Sequence, residues 1–489
     1  MHTPRISRRN LIATAVAGGA AALLAQPTAL LDHALAGNDP GCDPHASIDP
    51  FGLHQAGIVT AAPQHLQLAA FDLAPGTTRE QLIALLQAWQ GAIALLAKGQ
   101  PLPDAGEPDK APADTGEALS QRADRLTVTI GFGASLFDAR FGLAAQRPAA
   151  LVDLPAFTGD AVNPARSHGD LSVQCCAETR LVAEHALRTL ARLATGCATL
   201  RWTQAGFNEP PANPADGSGR NLFGFKDGTA NLDADDPARM STNVWAAEAD
   251  GTPWMTNGTY QVYRRVQMLL RMWDEETLKD QEDSIGRRRL TGAPFGGTGE
   301  FDRVVSANLP LDSHVRLSNP RTGADSEAER ILRRGYSYHD GVDATTGEYD
   351  AGLAFIAYQR DPRRQFISMQ TRLAASDALN EYIVHTASGI FAIPSGAQPG
   401  GFVGDVLFGF AQPRPSTPAP IRSAPAPAPD DPAPTPAPQP PAAGAPTGAP
   451  RQQPGRATPS KPQLTAVKYK GKRTAKPKRK RTAKPKRKR

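Results

Sequence analysis

Three segments of the chain carry side chains of the types that move protons, hold a metal ion and steady a developing anion. The first is Asn221-Leu222-Phe223-Gly224-Phe225-Lys226-Asp227-Gly228-Thr229-Ala230-Asn231, where a single carboxylate, Asp227, stands between glycines in a largely apolar run. An Asp-Gly pair alone is a turn signal. As an acid–base group, an aspartate with its ordinary pKa near 4 works best below neutral pH unless burial raises it. The second is Asp312-Ser313-His314-Val315-Arg316-Leu317-Ser318-Asn319-Pro320-Arg321. The His314 imidazole can bind a metal through Nε2 while Nδ1–H takes a carboxylate or carbonyl partner, which the sequence does not identify. A histidine taken alone is more often a surface or satisfied core residue, and His54, His168, His185 and His339 have no comparable setting. The third is Ile331-Leu332-Arg333-Arg334-Gly335-Tyr336-Ser337-Tyr338. A guanidinium stays charged at any relevant pH and can stabilise a developing anion. Read alone, Arg333-Arg334-Gly335 is the basic end of a helix before a glycine cap.

Taken together, the strings resemble a known family. The first resembles the Gly-x-x-Asp-Gly signature of the dye-decolourising peroxidases, which are haem enzymes. The second resembles that family's His-[Ile/Val]-Arg-Leu-x-x-Pro segment, whose histidine is the proximal haem ligand. The third resembles its distal arginine segment, which makes Arg333 the distal arginine and Arg334 the fallback. The resemblance implies that Asp227 handles the protons of hydrogen peroxide, that Gly228, Thr229 and Ala230 line the haem, and that Asn319, Pro320 and Arg321 lie near a haem edge. Arg321 is suited to pair with a propionate. Trp273, Leu278, Gln281-Glu282-Asp283 and Ile285-Gly286-Arg287 also resemble a family segment, of structural use.

The match runs from about residue 51 to residue 410, and Phe51-Gly52-Leu53-His54-Gln55-Ala56-Gly57-Ile58-Val59 resembles the start of the exported branch, which includes the deferrochelatase/peroxidase of bacterial iron-uptake systems. The expected cofactor is one non-covalent haem b per chain, since no Cys-x-x-Cys-His attachment site occurs. The expected reaction reduces hydrogen peroxide and oxidises dyes, phenols or similar small-molecule donors in one-electron steps. Two alternatives use the same residues: release of iron from haem with the porphyrin left intact, and a non-enzymatic haem carrier tethered to an anionic surface. Iron-uptake components and a second copy of the chain are possible partners.

These segments need a scaffold. The resemblance implies an α+β fold of two ferredoxin-like modules with antiparallel sheets and packed helices, haem lying in the C-terminal one. The expected organisation is a signal peptide (1–36), a mature N-terminal segment (37–50), the two modules (51–215 and 216–410), a Pro/Ala-rich linker (411–460) and a basic tail (461–489). Periodicity predicts strands at 57–60, 66–73, 126–132, 170–175 and 200–204, and again at 259–271 and 352–358. It predicts a helix over 78–98, N-capped by Thr78, with Leu82, Leu85, Leu86, Trp89 and Ile93 on one face. A second helix spans 178–195 with Leu181, Val182, Leu187, Leu190 and Leu193 inward, a third spans 273–285 with Leu278 and Ile285 inward, and 361–374 is helical or mixed. Gly296-Gly297-Thr298-Gly299 reads as a loop, since no Walker or Rossmann pattern surrounds it. Cys42, Cys175, Cys176 and Cys197 read as free thiols rather than a disulfide framework.

The ends carry different messages. Ser7-Arg8-Arg9-Asn10-Leu11-Ile12, a short apolar run and Ala34-Leu35-Ala36 read as a twin-arginine (Tat) export signal cleaved after Ala36, leading to the periplasm, envelope or exterior. No later segment is apolar enough to span a membrane. The Pro/Ala stretch favours extended polyproline II and could reach on the order of 100 Å. The tail contains Arg473-Thr474-Ala475-Lys476-Pro477-Lys478-Arg479-Lys480 and repeats it at 481–488. With 15 Lys and Arg and no acidic residue there, a chain total of +6 leaves the remainder at −9. The basic pI thus belongs to the tail, which suits an anionic envelope polymer or membrane surface better than nucleic acid in an exported protein.

Overall fold

The computed structural model describes residues 43–415, apart from 105, 107 and 345. The expected signal peptide, the basic tail, all but the start of the linker, and Cys42 lie outside the described residues. Among the described residues nine strands run in chain order: β1 (His65–Leu73), β2 (Thr127–Gly133), β3 (Leu171–Ala177), β4 (Ala198–Phe207), β5 (Thr259–Met268), β6 (Leu332–Arg333), β7 (Tyr336–Val342), β8 (Tyr349–Gln359) and β9 (Ile383–Ile393). All pair antiparallel in the order β5-β9-β2-β3-β1-β4-β7-β8-β6. Strand β8 also pairs with β5, so eight strands close into a ring and β6 hangs from β8. The joins are short: Phe132↔Ala392 and Gly133↔Phe391 on one side, Phe207↔Ser337 on the other. At Gly133 a Cβ would sit 1.9 Å from the Gly169 carbonyl oxygen, so only glycine permits that approach.

Side chains alternate across the strands. One set points into the ring, where Trp202 of β4 stacks on Tyr263 of β5 at 4.9 Å although those strands are not neighbours. Gln174 of β3 accepts hydrogen bonds there from Gln261 of β5 at 3.2 Å and Tyr358 of β8 at 2.8 Å. The other set meets helices. Helix α1 (Arg79–Leu96) starts with the predicted Thr78 cap, completed into a capping box by Gln81, and buries all five predicted apolar residues. Its Trp89 donates to the Leu190 carbonyl of helix α2 (Arg180–Leu193) at 2.8 Å. Cys175 and Cys176 are free and buried, and Cys197 is free and half-buried. No helix of the described residues is long and apolar enough to cross a membrane.

Several sequence expectations fail for identifiable reasons. Residues 57–60 form bends, because Gly57 takes a φ of +91° that no strand uses. Leu181 lies exposed on α2, outside the buried stripe. The strand expected over 259–271 ends at Met268. The helix expected over 273–285 is two helices, Leu270–Glu275 and Leu278–Ile285, because Glu276 is extended and the Thr277 hydroxyl starts a new cap on Asp280. That restart turns Leu278 to solvent. Strands β6 and β9 carry no alternating signal that periodicity could find, and Arg333 ends strand β6, with Arg334 directly after it, rather than closing a helix.

Candidate active site

Residues 221–231 form a loop whose backbone is bent at Gly228 (φ +108°) and Ala230 (φ +59°). The Asp227 N–H donates to the Gly219 carbonyl at 2.9 Å. Its Oδ1 accepts from Arg333 Nη1 at 3.1 Å, and among the described residues its Oδ2 accepts only from Asn221 Nδ2, at 3.3 Å. Arg333 Nη2 donates to the Thr229 carbonyl at 3.0 Å. Asn231 clamps the other partner: its Oδ1 accepts from the Arg333 N–H at 2.9 Å and its Nδ2 donates to the Arg333 carbonyl at 2.8 Å. Strand alternation decides between the two arginines. Pairing of Leu332 with Tyr358 and Arg333 with Ala357 sends Arg333 to the Asp227 loop. It buries Arg334 in the ring beside Cys176, Tyr336 and Tyr358, where it donates to the Thr60 carbonyl.

A buried carboxylate absent from the sequence reading holds this loop. Glu300 accepts from Thr229 Oγ1 at 2.6 Å and from the Ser218 N–H at 3.2 Å, and pairs with Lys226 Nζ at 2.8 Å. The Thr229 hydroxyl is therefore committed to Glu300. Burial pushes the Glu300 carboxyl up, but the bonds from Lys226, Ser218 and Thr229 outweigh it and hold it below the usual range.

The other wall begins at His314, first residue of the short helix His314–Ser318. Its Nδ1 lies 2.7 Å from Asp377 Oδ2, and Asp377 Oδ1 accepts from the Leu379 N–H at 2.9 Å. A buried carboxylate only accepts here, so Nδ1 carries the proton and the Nε2 lone pair is left for a metal. Asp377 is the partner that sequence could not name. Burial and Arg333 pull the imidazole down, while Asp377 and, more weakly, Asp227 push it up; the net direction is up. The same balance puts Arg333 and Asp227 within electrostatic reach of the ring. The His314 side chain keeps 37% of its surface accessible, so the ring is open to a ligand on the side away from Asp377. Phe223, Phe225, Trp273, Ile285, Leu379 and Tyr382 form one apolar cluster beneath both walls, with Trp273 Nε1 donating to the Phe223 carbonyl at 3.1 Å.

Residues 319–321 lie in a tight turn beside this helix. Arg321 takes a φ of +59° and donates to the Val315 and Asn319 carbonyls at 3.0 and 2.6 Å, while the Pro320 carbonyl accepts from Ser306 Oγ at 3.2 Å. No carboxylate of the described residues lies within ion-pair distance of Arg321. Burial, then Arg287 and Arg330, lower its pKa to about 10. A cation in that setting gains from an anionic ligand. Among the described residues no group of three or more His, Cys, Asp or Glu is arranged to hold a metal ion. One free imidazole nitrogen plus one uncompensated arginine fits a metal carried in a macrocycle with carboxylate arms, which is what haem is. His54, His185 and His339 instead engage Trp245, Thr115 and Tyr349.

The C-terminal domain of Dyp-type peroxidases matches residues 218–398 and the N-terminal domain matches residues 55–208. The deferrochelatase of Escherichia coli (strain K12) is 38% identical over 368 residues, covering 73% of this chain and 86% of the relative. Ferric DtpA from Streptomyces lividans is 40% identical with a TM-score of 0.68, covering 74% of this chain and 97% of the other. A DyP-type peroxidase from Streptomyces coelicolor is 41% identical with a TM-score of 0.67, covering 73% and 95%.

Proposed function

This chain belongs to the Dyp-type peroxidase family, and from that premise we propose that Asp227, Arg333 and His314 carry the chemistry of its haem-dependent peroxidase reaction. The cofactor is haem b, bound without covalent attachment. Haem iron, when bound, supplies the electrons that reduce hydrogen peroxide and recovers them from the donor. His314 Nε2 holds the iron, and Asp377 fixes the ring's orientation and tautomer. Gly228, Thr229, Ala230, Asn319 and Pro320 would line the bound haem, and Arg321 would pair with a propionate.

Asp227 Oδ2, whose one hydrogen-bond partner among the described residues is Asn221, takes a proton from the near oxygen of hydrogen peroxide and returns it to the departing oxygen, which leaves as water. Arg333 holds Oδ1 and steadies the negative charge that gathers as the O–O bond opens. The observation that carries this reading is the Asp227–Arg333 pair, 3.1 Å apart and within electrostatic reach of His314.

Stopped-flow absorbance of the haem-loaded protein with hydrogen peroxide tests it. The wild type changes its haem spectrum rapidly. Asp227→Ala slows that change by about 10²–10⁴-fold, and His314→Ala loses the normal haem spectrum. Bound haem that ignores peroxide, or no haem binding, would sink the reading.

The 38% identity to deferrochelatases supports a second activity at the same site, release of iron with the porphyrin intact. Fluorescent free porphyrin appearing without bleaching distinguishes it. We also assign the N-terminus to Tat export to the periplasm, envelope or exterior. The basic tail binds an anionic polymer or membrane surface, and iron-uptake components and a second copy of the chain are its candidate protein partners. Replacing Arg8 and Arg9 by Lys should trap the protein inside the cell. Removing 461–489 should abolish retention on anionic vesicles and spare turnover.

A further inference from the structure

One segment, residues 295–311, joins the Asp227 loop to the His314 helix and is fastened at both ends. Near its start, Glu300 is bonded to Thr229, Ser218 and Lys226. At its far end, Arg316 Nη1 donates to the Ser306 and Leu309 carbonyls at 2.7 and 3.0 Å, and Ser306 Oγ donates to the Pro320 carbonyl. Between them the Asp302 carboxylate closes a turn by accepting from the Thr298 and Gly299 N–H groups at 2.7 and 2.9 Å. Its polar groups are thus tied to the site.

Its large apolar side chains are not covered. Phe301 and Val305 are 55% and 45% exposed, and flanking Leu290 and Leu311 are 83% and 76% exposed. These are four of the twelve large hydrophobic residues exposed among the described residues, and all four fall between positions 290 and 311 of the chain. Scattered exposed apolar residues need no explanation, but a fastened group of them does. The Phe301 ring lies against backbone: a Cβ on Gly217 would meet it at 3.3 Å. Arg289 and Arg303 are exposed on the same stretch, and among the described residues neither has a carboxylate within ion-pair distance.

We propose that this strap is the docking shelf for aromatic electron donors that carry a negative charge. Phe301 and Val305 pack the ring, and Arg303 and Arg289 meet its sulfonate or carboxylate. The inference rests on the peroxidase reading. The occupant follows from continuity with the site: the strap is bonded both to the loop of Asp227 and to the helix of His314. One hydrogen peroxide takes two electrons and two protons to become two waters, so two donors in turn each leave the shelf oxidised by one electron.

The test uses the haem-loaded full chain and a sulfonated azo dye, in wild type, Phe301→Ser/Val305→Ser and Arg303→Glu. Titration of the dye without peroxide should show a Kd about tenfold higher in the double variant, the effect of withdrawing on the order of 55 Å² of apolar contact at ~25 cal/mol per Å². KM for the dye should rise in parallel, while the peroxide-driven spectral change without donor stays at the wild-type rate. Arg303→Glu should raise KM for the dye and leave that of its uncharged counterpart unchanged. Unaltered Kd and KM in the double variant would overturn the shelf. So would a wild-type dimer that the double variant dissolves, since the apolar strap would then face a second copy. A wild type that binds the dye but ignores peroxide would defeat the peroxidase reading and leave the shelf standing.

Discussion

The connections β1–β2 and β3–β4 are each built round a helix, α1 of 18 residues and α2 of 14, whose apolar stripes face the sheet. The connection from β5 to β6 contains no helix longer than the eight residues of Leu278–Ile285, and it holds His314, Arg321 and Glu300. A helix satisfies its own backbone and needs only side-chain burial. Irregular chain must find partners for its N–H and C=O groups elsewhere. In the second half those partners are polar side chains: Asn231 on Arg333, Glu300 on Ser218, Arg316 on Ser306 and Leu309, Asp377 on Leu379. What leucines do for the first half, a hydrogen-bond network does for the second. Such a network can also aim functional groups.

If that contrast is right, damage in the second half costs chemistry and damage in the first costs stability. The largest effect is expected at His314. His314→Ala should remove the iron's protein ligand, and Asp377→Asn, which keeps the shape but not the charge, should weaken haem affinity by about 10–100-fold. Haem titration checks both, with thermal unfolding as the control that should barely move. Next comes the proton machinery: Arg333→Ala should slow the peroxide step by about 10²–10³-fold with haem still bound.

In the first half, Trp89→Ala should cost about 3–5 kcal/mol in denaturant unfolding, while the folded fraction keeps the wild-type peroxide step. Loss of that step at full folding would break the contrast. The Glu300 anchor gives a pH signature. Its folded pKa is depressed, so its stabilisation is fully present above the unfolded value near 4.3 and is lost as pH falls through the folded value. The protection factors of the amides at 226–231, measured against the intrinsic exchange rate at each pH, should therefore fall on acidification in the wild type. In Glu300→Gln they should be low already at neutral pH. The smallest effect is expected at Leu278, predicted from periodicity to be inward but exposed; Leu278→Ser should change stability by less than ~0.5 kcal/mol.

Much of this protein could be read without coordinates, and the reasons are local. The Thr78 cap and the Leu82–Trp89–Ile93 face act within a few residues, so spacing reveals them. The glycines around Asp227 reveal a sharply bent loop, and the apolar residues of that string pack on Trp273. The three strings that the structure brings together around Asp227, Arg333 and His314 were visible as well, through the residue types they contain. The short strand β6 and the long strand β9 were not, because neither shows a local alternation. Glu300 was hidden for a similar reason: it is an ordinary glutamate after a glycine until Lys226, Ser218 and Thr229 converge on it.

By itself, then, the sequence determined which side chains could do the chemistry and which helices would form, since capping and periodicity work over three or four residues. Only the tertiary structure decided who meets whom. His314 finds Asp377 63 positions along the chain, and Arg333 finds Asp227 at a separation of 106. The choice of Arg333 over Arg334 is a matter of strand register. A slip of one residue in the β6–β8 pairing would send the other arginine to the carboxylate and bury this one in the ring.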